Sequence, residues 1–580
     1  MFFPFINMAK NQMFLPINDT NLLASGENLF QIQHKKITER SKNRILIIIL
    51  AFISIYIVLG WRLLHYGFLR IETIFPSISS ESYLVSRPDI LDRNGEILAT
   101  DIKMVSLYAE PYRIINPDEV IQKLLTVLPN LDVQTVRRKL SSKSRFQWLR
   151  RQLTPKQQNY ILNLGIPGLG FRPEKRRFYP SSSVTSHVVG YVNVDNRGMA
   201  GMEKFIDMQG LLFLPTTKIE EIEGQVLKPI KLSLDLRVQA MVHEVLTESK
   251  IKYQAESAGA VILNVLTGEI IAMVSIPDYD PNKLIEGKTE GWLNRISNGT
   301  FEMGSTFKAF TIAMGLDSGL LTINDSLDAR YPIKEGKYFI KDFHAQRRLL
   351  TVSEIFQYSS NIGAAKIADI VGINKHQEFL HKLGLLTKLE TELPEVKTPT
   401  QPIPWKKIHS LTASFGHGIA TTPLQTAVSA IALVNGGRLI PPTFLVRSRE
   451  EASKVSRIVL KKSTSDSMVS LLRQGVINGS GRRAFVPGFE VGGKTGTAQK
   501  VIDGRYSDAF NFNSFLGIFP ISNPRYVVLS FIDSPKIGEK NQLTAGMNAA
   551  PVVGEIIRRS AAILGVKPVF KDVQRSPSIY

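Results

Sequence analysis

A serine and a lysine stand three residues apart in the segment Met303-Gly-Ser-Thr-Phe-Lys308. Side chains at this spacing share one face of a helix, so the amine of Lys308 can reach the hydroxyl of Ser305 if a helix begins here. A serine is a weak nucleophile until a base takes its proton, and a neutral lysine can act as that base. The spacing therefore predicts an activated serine, although Ser-x-x-Lys also occurs in helices that simply carry a surface lysine.

The residues around this pair predict the helix that the chemistry requires. Gly304 permits a tight turn before Ser305, and the mainly apolar run from Ala309 to Leu316 can pack into a core. Gly319 is typical of a helix that ends in a left-handed residue.

Two further motifs lie towards the carboxyl end of the chain. Tyr358-Ser-Ser-Asn361 falls in a helical region, and Gly492-Gly-Lys-Thr-Gly-Thr497 falls in a strand-like run. Each motif alone is common. Ser-x-x-Lys, Ser-x-Asn and Lys-Thr-Gly in this order, each in its expected secondary structure, form a specific pattern. On these motifs the chain resembles the penicillin-recognising serine enzymes, which include penicillin-binding proteins and serine β-lactamases.

The resemblance implies a role for each residue of the first two motifs. Ser305 would attack an amide carbonyl and form an acyl-enzyme while Lys308 takes its proton. Ser359 would relay a proton to the leaving amine, and Asn361 would orient Lys308 and the substrate amide. A lysine that acts as a base at neutral pH needs a lowered pKa, which burial and the charge of Lys494 would both provide.

The third motif would bind the substrate. Lys494, Thr495 and Thr497 would hold its terminal carboxylate, and the backbone N–H groups of Ser305 and Thr497 would form an oxyanion hole. Gly496 would keep the strand bare so that the substrate backbone can lie against it. The resemblance implies neither a metal nor a cofactor.

The composition is that of a large folded protein. The chain has 580 residues, of which 43% are hydrophobic and 21% charged, so two to four domains with sizeable cores are expected. Its formal charge of +20 indicates anionic surroundings such as acidic lipid, nucleic acid or an anionic polymer. The sequence has no cysteine, which excludes disulfides and cysteine-based zinc modules.

An uncharged segment near the amino terminus predicts a membrane anchor. Residues 1–44 are polar and end in a basic cluster, and residues 45–64 are predominantly apolar with one charge, Arg62. About 17–25 such residues span a bilayer as a helix, and the preceding basic cluster predicts a cytoplasmic amino terminus and an exported remainder. Bulky residues from Trp61 to His65 stand where a secretory signal would be cleaved, which favours an uncleaved anchor. A buried helix of a soluble domain is the alternative.

Residues 65–228 predict a separate, mixed α/β module, called the pedestal below. Asn94-Gly95 is a hairpin-turn signal between apolar stretches. The segment 137–177 is strongly basic, and we interpret its basic residues as lacking interleaved aromatic partners, which argues against nucleic-acid binding. A solvated face, or contact with anionic lipid or an acidic wall polymer, is expected instead. His187 is interpreted as a structural rather than a catalytic histidine.

Residues 229–570 predict an α+β domain, followed by a tail at 571–580. Strands are expected at 232–235, on both sides of Leu266-Thr-Gly268, and at 489–499, 512–520 and 526–533. Helical patterns dominate from Ser305 to about Asn435, and a last helix is expected at about Ala550–Leu564. An antiparallel sheet built from both ends of the domain, with helices between them, is an α+β arrangement.

The pedestal narrows the resemblance to class B penicillin-binding proteins. Its shared motif residues are Arg87, Asp92, Arg93, Asn94, Gly95, Arg177, His187, Gly201 and Glu203. Such proteins are transpeptidases that cross-link peptidoglycan stem peptides ending in D-Ala-D-Ala, and β-lactams inhibit them. Phe415-Gly-His-Gly-Ile419 is most similar to the division-specific type, with the elongation-specific type as the alternative. Pro88 and Met303 depart from the family pattern, next to functional residues.

The resemblance also implies partners and a location. We expect an inner-membrane protein with one span, a cytoplasmic amino terminus and a periplasmic catalytic domain. Its expected partners are stem peptides, β-lactams, a glycosyltransferase of the SEDS family and other division proteins, but no nucleic acid.

Other functions stay open at this point. A β-lactamase or D,D-carboxypeptidase would pass the acyl group to water, but Glu390-Thr-Glu-Leu-Pro394 has proline where a water-holding loop needs asparagine. A β-lactam sensor normally has several membrane spans, and a catalytically idle scaffold would need none of the three motifs.

Overall fold

The computed structural model describes residues 46–62, 86–210, 227–283, 290–502, 504–536 and 543–570. The chain divides into two units, Met1–Ser82 and Tyr83–Tyr580. The predicted leader at 1–44 and the tail at 571–580 lie outside the described residues.

Residues 46–62 form helix α1, whose large apolar side chains between Leu46 and Trp61 are exposed. Of the helices in the described ranges, none combines the length and the apolar character needed to cross a membrane. The membrane span expected at 45–64 therefore stays a prediction.

The pedestal is built on one five-stranded sheet and a two-stranded ribbon. In the larger sheet the order is β3–β2–β1–β7, and β4 pairs with β2. Its strands and helices are β1 (Ile90–Leu91), β2 (Ile97–Ala109), α2 (Pro117–Val127), α3 (Val133–Leu140), β3 (Gln147–Leu153), α4 (Pro155–Asn163), β4 (Leu169–Phe178), α5 (Ser186–Val189), β5 (Tyr191–Val192), β6 (Gly198–Ala200) and α6 (Gly201–Met208). The strand β7 (Ile230–Lys231), which pairs with β1, comes from the start of the following domain. The mixed α/β pedestal is thus present in the described residues.

The predicted turn at Asn94-Gly95 joins β1 to β2. Asp92 accepts hydrogen bonds from the backbone of Asn94 (2.7 Å) and Glu96 (2.9 Å), and Gly95 has φ of +97°. Glycine is favoured at such a positive φ because it has no Cβ.

Buried arginines join the pedestal elements. Glu203 on α6 accepts from Arg87 (2.7 Å) and Arg177 (2.6 Å), and Arg177 also contacts Asp101 on β2 (3.2 Å). These side chains are at most 3% exposed, so they have lost their contact with water. The ion pairs with carboxylates compensate each guanidinium for that loss.

The interpretation that the basic segment lacks aromatic partners is wrong. Phe146 stacks on Tyr108 with ring centroids 4.9 Å apart, and Trp148 meets Phe146 edge-on at 4.8 Å. The guanidinium of Arg172 lies 5.1 Å from the Phe146 ring. Tyr108 lies on β2 and Arg172 on β4, so sheet pairing gathers residues that are distant in sequence.

The second domain contains a five-stranded antiparallel sheet in the order β16–β17–β18–β8–β9. The adjacent strands β8 and β9 come from the start of the domain and β16, β17 and β18 from its end, as the sequence predicted. The strands are β8 (Ser257–Asn264), β9 (Ile270–Ile276), β16 (Gly492–Ile502), β17 (Arg505–Phe519) and β18 (Tyr526–Asp533).

Helices cover both faces of this sheet. Val527, Leu529 and Phe531 on β18 belong to one buried cluster, whereas Val528 and Ile532 belong to another. This alternation is the period of two that a strand buried on both faces requires. The helices are α7 (Leu236–Lys252), α8 (Lys308–Asp317), α9 (Val352–Tyr358), α10 (Asn361–Val371), α11 (Ile373–Lys382), α12 (Lys407–Ala413), α13 (Pro423–Ile431), α14 (Arg449–Val455), α15 (Lys462–Ile477) and α16 (Ala549–Ser560).

Short strand pairs complete the domain: β10 (Ser326–Asp328) with β13 (Leu349–Thr351), β11 (Ile333–Glu335) with β12 (Tyr338–Ile340), and β14 (Arg438–Leu439) with β15 (Arg457–Ile458). Together with the central sheet they give the α+β class that the sequence predicted.

Three predicted strands need corrected boundaries. The strand expected at 512–520 is longer and runs from Arg505 to Phe519. The strand expected at 232–235 lies at 230–231, because Asp235 instead caps α7 by accepting from the backbone of Arg237 (3.1 Å). The strand expected from Phe489 begins at Gly492, because residues 486–489 form a tight turn in which Phe489 donates to the carbonyl of Val486 (3.0 Å).

Candidate active site

Ser305 lies on a 3-10 turn, Gly304–Phe307, that leads directly into α8. Lys308 begins the helix, and its Nζ lies 3.0 Å from Ser305 Oγ. Gly304 has φ of +51°, and a Cβ on this residue would lie 2.5 Å from the carbonyl oxygen of Thr497. The glycine therefore lets the serine turn approach strand β16, and the predicted serine–lysine pair is in hydrogen-bond contact.

Ser359 connects this pair to the third motif. Its Oγ lies 3.1 Å from Lys308 Nζ and 3.0 Å from Lys494 Nζ, and its carbonyl oxygen also accepts from Lys308. Ser359 ends α9 in the left-handed conformation, with φ of 58° and ψ of 43°. Such backbone strain costs about 1–3 kcal/mol in a residue other than glycine and is typical of functional sites.

Both lysines are buried, and burial sets their protonation. It lowers the pKa of Lys308 well below 10.5, the charge of Lys494 lowers it further, and Asp342 acts in the opposite direction. Burial lowers the pKa of Lys494 to about 7. A water-poor environment destabilises each ammonium, so Lys308 can be a neutral base at physiological pH.

The second motif is held by a loop that sequence reasoning did not identify. Asp342 accepts hydrogen bonds from Ser360 Oγ (2.8 Å) and from the backbone of Ile362 (2.9 Å). Asn361 donates from its side chain to the carbonyl of Lys341 (2.8 Å), whereas Lys308 bonds to the two serines. The predicted effect of Asn361 on Lys308 stays a prediction. A lone aspartate after a short hairpin gives no sequence signal for such a contact.

Strand β16 carries the third motif along the serine turn. Thr497 Oγ1 accepts from the backbone of Ala545 (3.0 Å), and Thr495 shares a hydrogen bond with Ser480. A Cβ on Gly496 would lie 2.3 Å from the carbonyl oxygen of Met303. The missing side chain therefore serves the packing of β16 against the serine turn, which differs from the predicted reason, room for the substrate.

Side chains considered as alternatives lie in structural contacts. Glu392 accepts from the backbone of Phe444 (3.0 Å). His187 contacts the carbonyl of Gly291 (2.8 Å), and burial lowers its pKa to about 4, as expected of a structural histidine. Within the described ranges, no three His, Cys, Asp or Glu side chains are grouped so that they could hold a metal ion.

The arrangement is suited to acyl transfer. Ser305, Lys308, Ser359 and Lys494 form one chain of hydrogen bonds, with steps of 3.0–3.1 Å. This chain can take a proton from the nucleophile and deliver it to a leaving group, which is the requirement for making and breaking an acyl-enzyme.

Two family models match the chain. The model of the penicillin-binding protein transpeptidase domain matches residues 258–558, and that of the penicillin-binding protein dimerisation domain matches residues 83–209.

Several curated proteins are similar over most of their length. A probable peptidoglycan D,D-transpeptidase FtsI of Caulobacter vibrioides is 37% identical over 83% of this chain and 82% of its own. A probable peptidoglycan D,D-transpeptidase PenA of Neisseria gonorrhoeae is 31% identical over 91% and 94% of the two chains. The peptidoglycan D,D-transpeptidase FtsI of Escherichia coli K12 is 30% identical over 85% and 86%.

Proposed function

This chain belongs to the penicillin-binding transpeptidases, and on that premise we propose that it is a class B peptidoglycan D,D-transpeptidase of septal wall synthesis. The observation that carries the proposal is the hydrogen-bonded chain from Ser305 through Lys308 and Ser359 to Lys494. Its substrates are stem peptides that end in D-Ala-D-Ala, and β-lactams acylate the same serine.

Acylation begins when Ser305 Oγ attacks the carbonyl of the bond between the two D-alanines. Lys308, neutral because it is buried, takes the hydroxyl proton. Ser359 bonds to both lysines and relays a proton to the departing amine. The amide bond breaks, D-alanine leaves, and the donor peptide remains as an ester on Ser305.

Binding of the donor depends on the third motif. Lys494, Thr495 and Thr497 hold its terminal carboxylate, and backbone N–H groups of Ser305 and Thr497 stabilise the oxyanion. Each such donor contributes on the order of 10²–10³ in rate. The amine of a second stem peptide then attacks the ester, which forms the cross-link and returns the proton to Ser305 Oγ.

The transpeptidase proposal is tested by following the fate of the acyl group. The full chain in detergent, given a donor ending in D-Ala-D-Ala and an amine acceptor, is expected to yield the cross-linked product by mass spectrometry. Release of the donor to water alone would instead assign a carboxypeptidase.

The septal role rests on the similarity to FtsI-type proteins. Depletion in the native organism is expected to give filaments, since division stops while elongation continues. Rounded cells would contradict the septal role and favour the elongation-specific type.

A membrane anchor at 45–64 fits the uncharged run and the basic residues before it. We place the catalytic domain on the periplasmic side of the inner membrane, with a SEDS-family glycosyltransferase and other division proteins as partners. The full chain is expected to stay in the pellet after alkaline carbonate extraction, and release into the supernatant would contradict the anchor.

A further inference from the structure

An exposed aromatic surface lies beside the second motif, on the hairpin that β11 and β12 form. Phe339 is 58% exposed and Tyr338 is 53% exposed. Phe343, in the loop after β12, is 75% exposed. Phenylalanine is among the side chains that are most often fully buried, and exposed apolar surface of this kind marks places where a ligand or partner binds.

The register of the hairpin places these side chains on its outer face. Ile333 pairs with Ile340, and Lys334 pairs with Phe339. Ile340 is buried in a small cluster against which Ile333 also packs. Since successive side chains of a strand point to opposite faces, Lys334 and Phe339 lie side by side on the face that this cluster does not cover.

Positive charge accompanies the exposed rings. Lys334 Nζ lies 5.8 Å from the centroid of the Phe339 ring, and Lys337 Nζ lies 5.4 Å from that of Tyr338. These four side chains are called the hairpin patch below. Residues 330–348 contain six lysines and arginines but only two acidic residues, so the surroundings of the patch are cationic as well.

The hairpin patch is continuous with the active site. Asn361 of the second motif donates to the carbonyl of Lys341 (2.8 Å), and Asp342 accepts from Ser360 (2.8 Å). Phe339 precedes Lys341 by two residues, which is about 7 Å along a strand. A polymer that has one end in the active site therefore reaches the patch within a few residues of its length.

We propose that the hairpin patch binds the glycan chain from which the donor stem peptide projects. The inference rests on the proposed transpeptidase function, in which the D-Ala-D-Ala end of that stem lies at Ser305. The carbon–hydrogen faces of sugar rings are apolar and can cover the exposed rings of Tyr338 and Phe339. The carboxylates of neighbouring stem peptides complement the ammonium groups of Lys334 and Lys337.

The position of the patch favours this polymer over a membrane surface. A ligand for exposed rings and cations must offer apolar faces and negative charge together, and a glycan chain with its stem peptides offers both. The patch also adjoins the second motif, where the donor is already held at one end. Contacts made there need no second encounter, so a glycan chain should bind more tightly than a single peptide.

The test measures protection of Ser305 from a fluorescent penicillin, which needs no turnover of the donor. The full chain in detergent is labelled in the presence of uncross-linked glycan chains that carry pentapeptide stems, or of the free pentapeptide at the same concentration of stems. The double variant Phe339→Ala/Lys334→Glu removes one ring and reverses one charge of the hairpin patch. The concentration of glycan chains that halves the labelling rate should rise about tenfold, the effect of losing one ring contact and one ion pair. That of the free pentapeptide should stay within about twofold.

Two controls make the result specific. The double variant Tyr112→Ala/Lys454→Glu removes an exposed ring of the pedestal and reverses an exposed charge on α14, and should change protection by neither donor. Labelling with penicillin alone shows that each variant keeps a folded active site. Because Phe339 and Lys334 are exposed, their replacement should leave this labelling at the unmodified rate.

Glycan chains that protect the unmodified chain no better than the free pentapeptide would overturn the inference, and so would equal changes of protection by both donors in the hairpin variant. Unchanged protection in that variant would overturn it too, and loss of its binding to vesicles of phosphatidylglycerol would then assign the patch to the membrane. A chain that penicillin does not label at all would instead overturn the proposed function.

Discussion

Ser359 has the most demanding environment of the residues in the site. Its hydroxyl lies between two buried lysines, and its backbone is held in a strained conformation. If both lysines were charged, their repulsion across one hydroxyl would be uncompensated at this point. Because the pKa of each lysine is lowered, the two need not be charged at the same time, which reduces this repulsion. Neutral Lys308 can then accept the proton of the serine hydroxyl.

The two lysines predict a bell-shaped pH dependence of penicillin acylation. The rate falls at low pH because Lys308 becomes protonated below its lowered pKa and can no longer act as a base. It falls again above a pH of about 7 because Lys494 loses the charge that holds the carboxylate of the drug. The second-order rate constant of the full chain, measured from pH 5 to 9, checks this.

The variant Lys494→Arg tests whether Lys494 causes the fall in acylation rate at alkaline pH. A guanidinium keeps its charge throughout this range, so the alkaline fall should disappear whatever the absolute rate. A rate that does not change from pH 5 to 9 in the unmodified chain would contradict the roles of both lysines.

At the residue scale, spacing alone predicted the contact between Ser305 and Lys308, because the periodicity of a helix fixes it. The convergence of Ser359 and Lys494 on that pair followed only from the resemblance. Asp342 and the partner of Asn361 could not be predicted, since both depend on where the loop after β12 lies.

Asp342 fixes the turn between α9 and α10, on which Ser359 and Asn361 are carried. Asp342→Ala removes two hydrogen bonds, to Ser360 and Ile362, and leaves their donors unpaired. Since each bond contributes about 1 kcal/mol, the turn should loosen and acylation by penicillin should slow about tenfold.

The same variant should move the acid limb of the pH profile to lower pH, because Asp342 raises the pKa of Lys308. Lys341→Ala is the matched control, since Asn361 contacts only the backbone carbonyl of Lys341. An Asp342→Ala chain that reacts at the unmodified rate would show that the loop does not position the second motif.

The approach of β16 to the serine turn depends on Gly496. Gly496→Ala would bring a methyl group within 2.3 Å of the Met303 carbonyl oxygen, so the strand must move away from Ser305. We expect a loss of stability on the order of 1–3 kcal/mol and at least a tenfold loss of acylation. Thermal unfolding and penicillin labelling measure the two effects.

Gly565→Ala serves as the control for the effect of glycine replacement alone. Gly565 has φ of +67° with nothing within 4 Å of a Cβ, so alanine there strains the backbone without touching the site. Equal acylation by the two variants would contradict the packing role of Gly496.

At the element scale, the sequence predicted the central sheet well where its strands are long apolar runs, as in β8, β9 and β18. Boundaries shifted where a local polar contact ended the element, as at Asp235. The aromatic cluster of Tyr108, Phe146 and Trp148 could not be predicted, because it depends on the pairing of β2 with β3.

The pedestal and the transpeptidase domain are joined by specific hydrogen bonds within the second unit. Gln239 donates to the carbonyl of Val184 (2.8 Å), and Tyr279 donates to that of Ser186 (3.0 Å). Backbone acceptors of this kind do not change with small side-chain replacements, so the pedestal is a stable support for the catalytic domain.

Stability of the pedestal should depend strongly on the carboxylate that two buried arginines share. Glu203→Gln removes the charge common to Arg87 and Arg177, although Asp207 still pairs with Arg87 and Asp101 with Arg177. The free energy of unfolding of the pedestal should fall by about 3 kcal/mol, the lower end of the cost of breaking a buried ion pair. Urea unfolding followed by circular dichroism measures the loss.

Glu119→Gln is the matched control, because Glu119 pairs with Lys123 at the surface and should contribute little. An unchanged unfolding midpoint for Glu203→Gln would contradict the role of the arginine network. The pairing of Glu203 with both arginines depends on the tertiary fold, so the sequence suggested these residues only through the resemblance.

The most direct test of the account is covalent labelling of the full chain with a fluorescent penicillin, beside Ser305→Ala and the control Ser318→Ala. The account predicts a long-lived adduct that peptide mass spectrometry locates on Ser305, that persists in Ser318→Ala and that is absent from Ser305→Ala. An adduct that survives in Ser305→Ala, or an unmodified chain that is never labelled, would contradict the assignment of Ser305 as the nucleophile. Rapid loss of the adduct with hydrolysis of the drug would make the protein a β-lactamase instead.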